Sequence, residues 1–368
     1  MMVNNYTTGI PAGRVACIVL SILMAGSVQA QKQSSKGGVH VGIVYPISTH
    51  GIKAAESTNN FSLHLIAGVS KNETGVALSG FSNLIFGNAK GAQLAGFYNH
   101  IAGQSSGVQL AGFMNYSGQA KGTQLAGFMN ASMNSTGMQI AGFVNYSKDS
   151  GGKFQASGYL NIAKDVKWQL SGFMNVGRDV NTQLSGFINI AKKVKGVQVG
   201  FINIAESGTP IGLVNIVKNG EMAVRVSVDE LGSVIAGFKS GSKRVYGVVG
   251  VGYNGKTSKT MYALEGAIGV HFPVSEYFSM NTELASTTLD DFKKGEFHRG
   301  SLRVFPSFKI GNQLEVFAGP TFNYVYFDIA SGKGMDLVNH FMWSEQANDD
   351  HYHGMYIGAV AGISWKLK

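Results

Sequence analysis

A seven-residue phrase recurs along this chain: QLAGFYN at 93–99, QLAGFMN at 109–115 and 124–130, QIAGFVN at 139–145, QLSGFMN at 169–175 and QLSGFIN at 183–189. Weaker copies flank these, ALSGFSN at 77–83, QASGYLN at 155–161, QVGFIN at 198–203 and IGLVN at 211–215. The repeat glycines at 80, 96, 112, 127, 142, 158, 172, 186, 200 and 212 are spaced 16, 16, 15, 15, 16, 14, 14, 14 and 12 residues apart. Helix-pair repeats need more than about 30 residues per unit. A period near 15 suits one short β coil, or one strand plus a turn. The chain holds 50 Gly among 368 residues and only 14 % charged residues. Glycine at that density breaks helices and supplies turns, so an all-β fold is expected.

Two architectures satisfy the period. In a β-solenoid each unit is one coil, Gly marks a corner, and Leu and Phe of successive coils stack inside. The Asn of each unit then forms a ladder of amide hydrogen bonds, as identical side chains do in parallel, in-register sheets. The positions that define the repeat are Gly96, Phe97, Asn99, Gly112, Phe113, Asn115, Gly127, Phe128, Asn130, Gly142, Phe143, Asn145, Gly172, Phe173, Asn175, Gly186, Phe187 and Asn189. In the alternative each unit is one strand of a continuous antiparallel membrane barrel of about 20 strands, with lipid and lumen faces alternating. Linkers of similar length and chemistry favour the solenoid, because membrane barrels alternate short turns with long loops.

Residues 221–368 read differently. Eight alternating segments can be counted at 222–229, 233–240, 243–253, 260–272, 276–288, 299–310, 313–327 and 353–367. Leu302, Val304, Pro306, Phe308 and Ile310 share one parity, with Ser301, Arg303, Phe305, Ser307 and Lys309 on the other. Glu265, His271, Glu283, Arg303, Lys309 and Glu315 are expected to point into a filled lumen. Long polar connections at 254–259, 289–298 and 328–352 alternate with tight ones at 241–242, 273–275 and 311–312, the arrangement of an eight-stranded outer-membrane barrel. Tyr253, Tyr262, Tyr277, Phe278, Tyr324, Tyr326 and Trp365 suit interfacial girdles.

The first 30 residues carry Arg14, an apolar run from Val15 to Ala25 and small residues up to Ala30, the order of an export signal, with cleavage expected before Gln31. The one cysteine, Cys17, falls at the start of the apolar run, which leaves the mature chain without a thiol. The expected organisation is a signal peptide at 1–30, a capping or lead-in segment at 31–60, the repeat array at 61–217 and the barrel at 221–368. Net charge is +9, and many lysines (121, 148, 153, 164, 167, 192, 193, 195) fall between phrases. They make polar turns, or a basic edge toward acidic polysaccharide or lipid headgroups. An exported chain without an aromatic-basic groove is not expected to bind nucleic acid.

The phrase Gln-Leu-Ala-Gly-Phe-x-Asn at this period resembles uncharacterised surface-repeat proteins of Gram-negative bacteria, over roughly residues 60 to 217, and more distantly the head repeats of trimeric autotransporter adhesins. The C-terminal block resembles small eight-stranded outer-membrane barrels of the outer-membrane protein A type, although its ending, ISWKLK, departs from their terminal aromatic. These resemblances imply an outer-membrane or cell-surface protein whose partners are lipid, surface polysaccharide or envelope proteins. They carry no activity.

No phosphate-binding loop, dinucleotide fingerprint, zincin motif or nucleophile elbow occurs, so neither catalytic residues nor a cofactor are expected. The metal-ligand candidates are Asp349, Asp350, His351 and His353, assisted by Asp336 and His340; a hydrated outer loop is their default reading. The pair Asp290 and Asp291 beside Lys293 and Lys294 reads as a solubilising loop. The expected role is structural or adhesive. Its rival is a pore or passive transporter in which the repeats are barrel strands.

Overall fold

The computed structural model describes residues 38–256, 261–290, 292, 296–328, 337, 338, 340–346 and 351–367. The expected signal at 1–30, Asp336, Asp349 and Asp350 lie outside these residues. The fold is nearly all β, a parallel β-solenoid of about 11 turns and a closed eight-stranded antiparallel barrel. The chain divides into two compact units, 1–167 and 168–368; the first carries coils only, the second the last coils and the barrel.

A coil in the first unit runs as follows. The strand Thr123–Ala126 carries Gln124; Gly127 and Phe128 turn the corner; Met129–Ser135 carries Asn130; and Met138–Ala141 begins the next coil. Each residue lies beside its own copy: Asn130 pairs with Asn115 and Asn145, and Gln139 with Gln124 and Gln155, all in parallel. The second unit does likewise, with Asn175 on Asn189, Asn189 on Asn203 and Asn203 on Asn215. Parallel neighbours are incompatible with the continuous antiparallel barrel, and that alternative is not formed.

The corner glycines are required by close approach. A Cβ built on Gly127 runs into the carbonyl oxygen of Gly112, as one on Gly112 meets Gly96 and one on Gly142 meets Gly127. The peptide groups there hydrogen-bond from coil to coil, Phe128 N to Phe113 O at 3.0 Å and Met129 N to the same oxygen at 3.0 Å. A side chain on the glycine would hold adjacent coils apart and stretch these bonds.

The expectation that Leu and Phe stack inside is overturned. Gln109, Gln124, Asn115 and Asn130 are fully buried, whereas Phe113 and Phe128 are 38 % and 39 % exposed. Strand alternation places Gln in, Leu out and Ala in; the Gly-Phe pair turns outward, and Met out and Asn in follow. A coil of about 15 residues encloses too narrow a section for an aromatic ring from every turn. Small and planar side chains fill it: Ala111, Ala120, Ser117, Ser132 and the amides.

These amides are paired. Asn130 Nδ2 donates to Ile140 O at 2.7 Å and Asn145 Oδ1 at 3.0 Å, while its Oδ1 accepts from Asn115 Nδ2 at 3.0 Å. Gln ladders run the other way, Gln139 Nε2 donating back to Gln124 Oε1 and Gln155 Nε2 back to Gln139 Oε1, both at 2.8 Å. Each such bond is worth about 1 kcal/mol net, and a stranded partner costs about 1–3 kcal/mol.

The barrel strands are Glu221–Asp229, Ser233–Gly241, Val245–Asn254, Met261–Pro273, Phe278–Asp290, Glu296–Ile310, Leu314–Asp328 and His351–Lys366. Each pairs antiparallel with the next, and the first closes on the eighth from Ala223↔Lys366 to Asp229↔Val360. Turns 242–244, 274–277 and 311–313 form one rim, where the chain also enters and leaves; 230–232 and the longer connections form the other. The short strand Trp343–Gln346 extends the sheet beside the eighth strand.

We expect Gly127→Ala to lower stability by about 3 kcal/mol, while Gly300→Ala, whose added Cβ meets nothing within 4 Å, stays within about 0.5 kcal/mol. Thermal unfolding followed by circular dichroism measures both; equal midpoints would refute the close-approach requirement.

Candidate interaction surfaces and the barrel interior

The outward residues of the phrase form continuous columns. In the first unit the rings of Phe81, Phe97, Phe113, Phe128, Phe143 and Tyr159 stack with successive centroid separations of 4.8, 4.7, 4.8, 5.1 and 4.8 Å, nearly parallel. In the second unit Phe173, Phe187 and Phe201 continue the pattern at 5.3 and 5.6 Å. Outward Leu, Ile and Met residues flank the rings, among them Leu110, Met114, Ile140 and Leu170. The lysines sit half a coil away: Lys121, Lys148, Lys153, Lys164, Lys192, Lys193 and Lys195 are exposed near the other corners. Lys164 Nζ pairs with Asp149 at 2.7 Å on this polar side. The coils are amphipathic, with the apolar side outward and the polarity of the interior reversed from that of a soluble domain.

In the second unit the last coil seats on the outer wall of the barrel. Asn215 N donates to Ser240 Oγ at 2.9 Å, on the second barrel strand. Leu213 takes the place that Phe holds in earlier coils, and its side chain lies where a Cβ on Gly266 would project; a Cβ on Gly247 would strike the carbonyl oxygens of Gly212 and Leu213. Ser240, Gly247 and Gly266 share the outward parity of their strands, so three small residues form the seat.

Inside the barrel the parity expected from the sequence holds. Arg303 binds Glu265 at 2.6 Å and lies 3.6 Å from Glu283; Arg225 binds Glu283 at 2.5 Å and stacks over Phe317 at 4.1 Å. Tyr246 Oη donates to Glu283 Oε1 at 2.8 Å. Nearer the long-loop rim Arg299 bridges Asp229 at 2.5 Å and Glu230 at 3.2 Å. An apolar cluster closes that mouth: Leu231, Ile235, Met261, Leu289, Phe297 and Phe327 pack with Leu337 and Val338 from the last long connection. Near the other rim Lys239 pairs with Glu315 at 3.1 Å. Lys309, expected in the lumen, is exposed at that rim because the strand has already left the barrel's enclosed section. A cavity of about 210 Å³ lies there, lined by Glu221, Lys239, Glu315 and Lys366 among others, below the roughly 300 Å³ of common ligand pockets.

Of the metal-ligand candidates, Asp336, Asp349 and Asp350 lie outside the described residues. His351 and His353 lie on the eighth strand, not in a loop, and serve the aromatic wall: His351 stacks on Tyr326 at 5.1 Å, and His353 Nδ1 is 3.0 Å from Tyr324 Oη. Among the described residues no group of three His, Cys, Asp or Glu side chains is placed to hold a metal. His340 is exposed.

Sequence reasoning missed a histidine cluster in the segment expected as a lead-in. Gly38–Val44 pairs in parallel with Thr58–Ser70, so this segment contributes coil structure of its own. His40 and His64 are buried, their Nε2 atoms 3.4 Å apart, and the ring of His50 lies 4.5 Å from that of His40. His40 Nε2 is 2.9 Å from Ser48 Oγ. Below them Glu73 accepts from Asn59 at 3.0 Å and Ser62 at 2.7 Å. Burial, then the neighbouring His64 and His50, pushes His40 down to about 4; burial also lowers His64 and raises Glu73. The signal was present in VHV at 39–41 and LHL at 63–65, where the same inward polar and outward aliphatic alternation operates as in the repeats. Arg225, Arg299, Asp229 and Glu230 were also missed, although strand parity pointed Arg225 and Arg299 inward.

No family model, curated protein or solved structure matches the chain.

Two expectations follow from these sites. For His40 and His64 the folded pKa lies below the unfolded value of 6.5, so their stability contribution is intact above pH 6.5 and declines as pH falls toward 4, by up to about 3 kcal/mol for His40. Glu73, raised in the fold, acts in the opposite sense, its contribution fading as pH rises through its folded pKa. Hydrogen exchange of amides 38–44 should therefore accelerate between pH 7 and 4.5 beyond the intrinsic trend, and H40Q/H64Q should abolish that excess. In the barrel, Arg303→Met leaves Glu265 and Glu283 short of a cation and is expected to cost about 3–5 kcal/mol. Adding E265Q recovers part of this in unfolding measured by heat-modified gel mobility; no recovery would mean that the pair is not coupled.

Proposed function

We propose that this chain is an exported, non-enzymatic outer-membrane protein in which a sealed barrel is the anchor and the solenoid is a scaffold for contacts within the envelope. One observation carries the reading: the barrel wall is apolar outside and ion-paired inside. Val224, Val226, Leu264, Leu284, Leu302, Ile357 and Ile363 are exposed on the outer wall, while Arg225, Glu265, Glu283 and Arg303 are buried in the lumen. In water this distribution is costly, whereas in a bilayer it is the required one.

Aromatic residues bracket the band. Tyr253, Tyr262, Tyr324 and Tyr326 are exposed toward the long-connection rim, and Phe272, Tyr277, Phe308 and Trp365 toward the short-turn rim. Tyr262 and Phe272 are separated by ten positions on one strand; at about 3.4 Å per residue and a tilt near 40° this gives about 25 Å, the height of an outer-membrane apolar band. Short turns face the periplasm in such barrels. The chain enters the first strand at that rim, so in this reading the last coil reaches its seat on the wall from the periplasmic side. The exposed aromatic columns and lysine corners of the coils then offer stacking and charge to envelope polysaccharide or protein.

Purified protein in planar bilayers is expected to give no large stepwise conductance, since buried ion pairs cross the lumen. Protease added to intact cells is expected to spare the repeats and to cleave them once the outer membrane is permeabilised. Large channels, or cleavage on intact cells, would overturn the anchor or its orientation respectively.

A further inference from the structure

We infer that the cavity at the short-turn rim of the barrel is a binding site for one small zwitterion, a molecule of amino-acid size with an ammonium group and an acidic group, taken up free or as the headgroup of phosphatidylethanolamine. The inference goes beyond the anchor and scaffold reading and does not rest on it.

The cavity measures about 210 Å³ and is lined by barrel residues alone. Its volume excludes a polymer and admits one small molecule. Three lysines and three glutamates line it, Lys239, Lys309 and Lys366 against Glu221, Glu276 and Glu315. Equal charge of both signs around one recess opposes a lone anion as much as a lone cation, whereas a ligand that carries both charges finds attraction at each end. Lys239 and Glu315 pair at 3.1 Å with side chains 8 % and 15 % exposed, and Lys366 pairs with Glu221 at 3.1 Å nearer to solvent. An ammonium has three donors and a carboxylate about four acceptor sites, so neither pair exhausts its hydrogen-bonding capacity. The lysines can receive the acidic end of a ligand, and the glutamates its ammonium, with both pairs intact. Glu276 and Lys309 are exposed and come from adjoining segments, Lys309 N donating to Tyr277 O at 2.9 Å. They place opposite charges at the entrance.

Ser364 is an independent sign of a ligand. It lines the cavity from the inward parity of the eighth strand, is 2 % exposed, and its Oγ has no hydrogen-bond partner among the described residues. Buried polar groups are ordinarily bonded, so a lone hydroxyl beside a cavity marks a place for a partner supplied from outside. Deeper in the lumen Lys239 Nζ lies over the ring of Tyr246 at 4.6 Å, and Tyr246 Oη is bonded to Glu283. Arg225 and Arg303 converge on the same carboxylate and close the lumen behind the cavity. The recess can take up a ligand from the short-turn side and cannot pass it on, which is binding without transport.

The test is titration calorimetry on the full-length protein in dodecyl maltoside micelles, whose headgroups carry no charge to compete. The probes are glycine, glycerophosphoethanolamine, acetate and methylammonium. The expected result is saturable binding of one or both zwitterions with a Kd of about 1 mM or tighter, and roughly tenfold or weaker binding of acetate and methylammonium. Glycine alone identifies a free amino acid as the ligand, glycerophosphoethanolamine alone the lipid headgroup, and binding of both the shared chemistry from either source. E276Q/K309M removes one charge of each sign at the entrance and should weaken binding by roughly tenfold or more. Ser364→Ala breaks no hydrogen bond within the protein; it should weaken binding about fivefold and leave the unfolding midpoint unchanged. If neither zwitterion binds saturably, the inference fails. If acetate or methylammonium binds as tightly as the zwitterions, the site reads a single charge and the inference fails. Affinity unchanged in either variant would place the ligand elsewhere and also overturn it. Conductance and protease access, which test the anchor, are separate from all of these outcomes.

Discussion

Each coil lies at strand-pairing distance over an identical coil, and that spacing governs everything else in the array. At about 4.8 Å there is no room for a Cβ where two backbones cross at a corner, hence glycine at 96, 112, 127 and 142. The same spacing brings like side chains into contact. Asn finds its own amide at hydrogen-bond distance, Gln does the same, and Phe finds a parallel ring. Residues that gain from self-contact are therefore those that the phrase repeats. The Asn and Gln ladders donate in opposite directions along the stack, so their amide dipoles oppose one another.

A short period also sets the polarity. A coil of about 15 residues has a section that small residues and flat amides fill, and the inward amides give partners to carbonyls that turn away from the ladder at the corners, as Asn99 Nδ2 does for Leu110 O at 2.8 Å. The large apolar residues of the phrase are displaced outward, while Ile85 and Ile101, outside it, are buried. The barrel reaches the same inverted polarity by a different route: eight strands enclose room for side chains, and paired Arg and Glu fill the middle of it, with apolar residues at the mouth.

How much of this was legible follows from which signals are local. Strand parity in the barrel is a local property, and segments such as 299–310 and 353–367 lie within a few residues of the observed strands with their faces as expected. Gly as a corner and Asn as a ladder were also readable, since both follow from stacking identical units. The inside and outside of a coil were not. Alternation in QLAGFMN assigns Gln and Leu to opposite faces but carries no sign, and the general preference for buried Leu and Phe supplied the wrong one. His40 and His64 were hidden by the same inversion, flanked as they are by exposed Val39, Val41, Leu63 and Leu65. The histidines at 351 and 353 drew attention through their acidic neighbours in sequence; strand pairing at this end of the eighth strand gives each an aromatic partner, which the local sequence does not display.

The seat between the last coil and the barrel joins the two inverted structures. Glycine weakens a strand and leaves a gap on its surface, so Gly247 and Gly266 on the outward parity need a reason. The backbone of 212–213 approaching one and the Leu213 side chain covering the other provide it. Leu in place of Phe at this corner fits the same geometry, because the column ends against a wall of backbone and small residues where a further ring has no partner to stack upon. Asn215, the last of its column, donates Nδ2 to Gly212 O at 2.7 Å, as Asn203 does to Gly200 O at 3.1 Å, and directs its backbone N–H to Ser240. The last coil thus ends on the barrel wall, with the consensus Gly212 and Asn215 supplying backbone contacts and Leu213, where earlier coils carry Phe, covering Gly266.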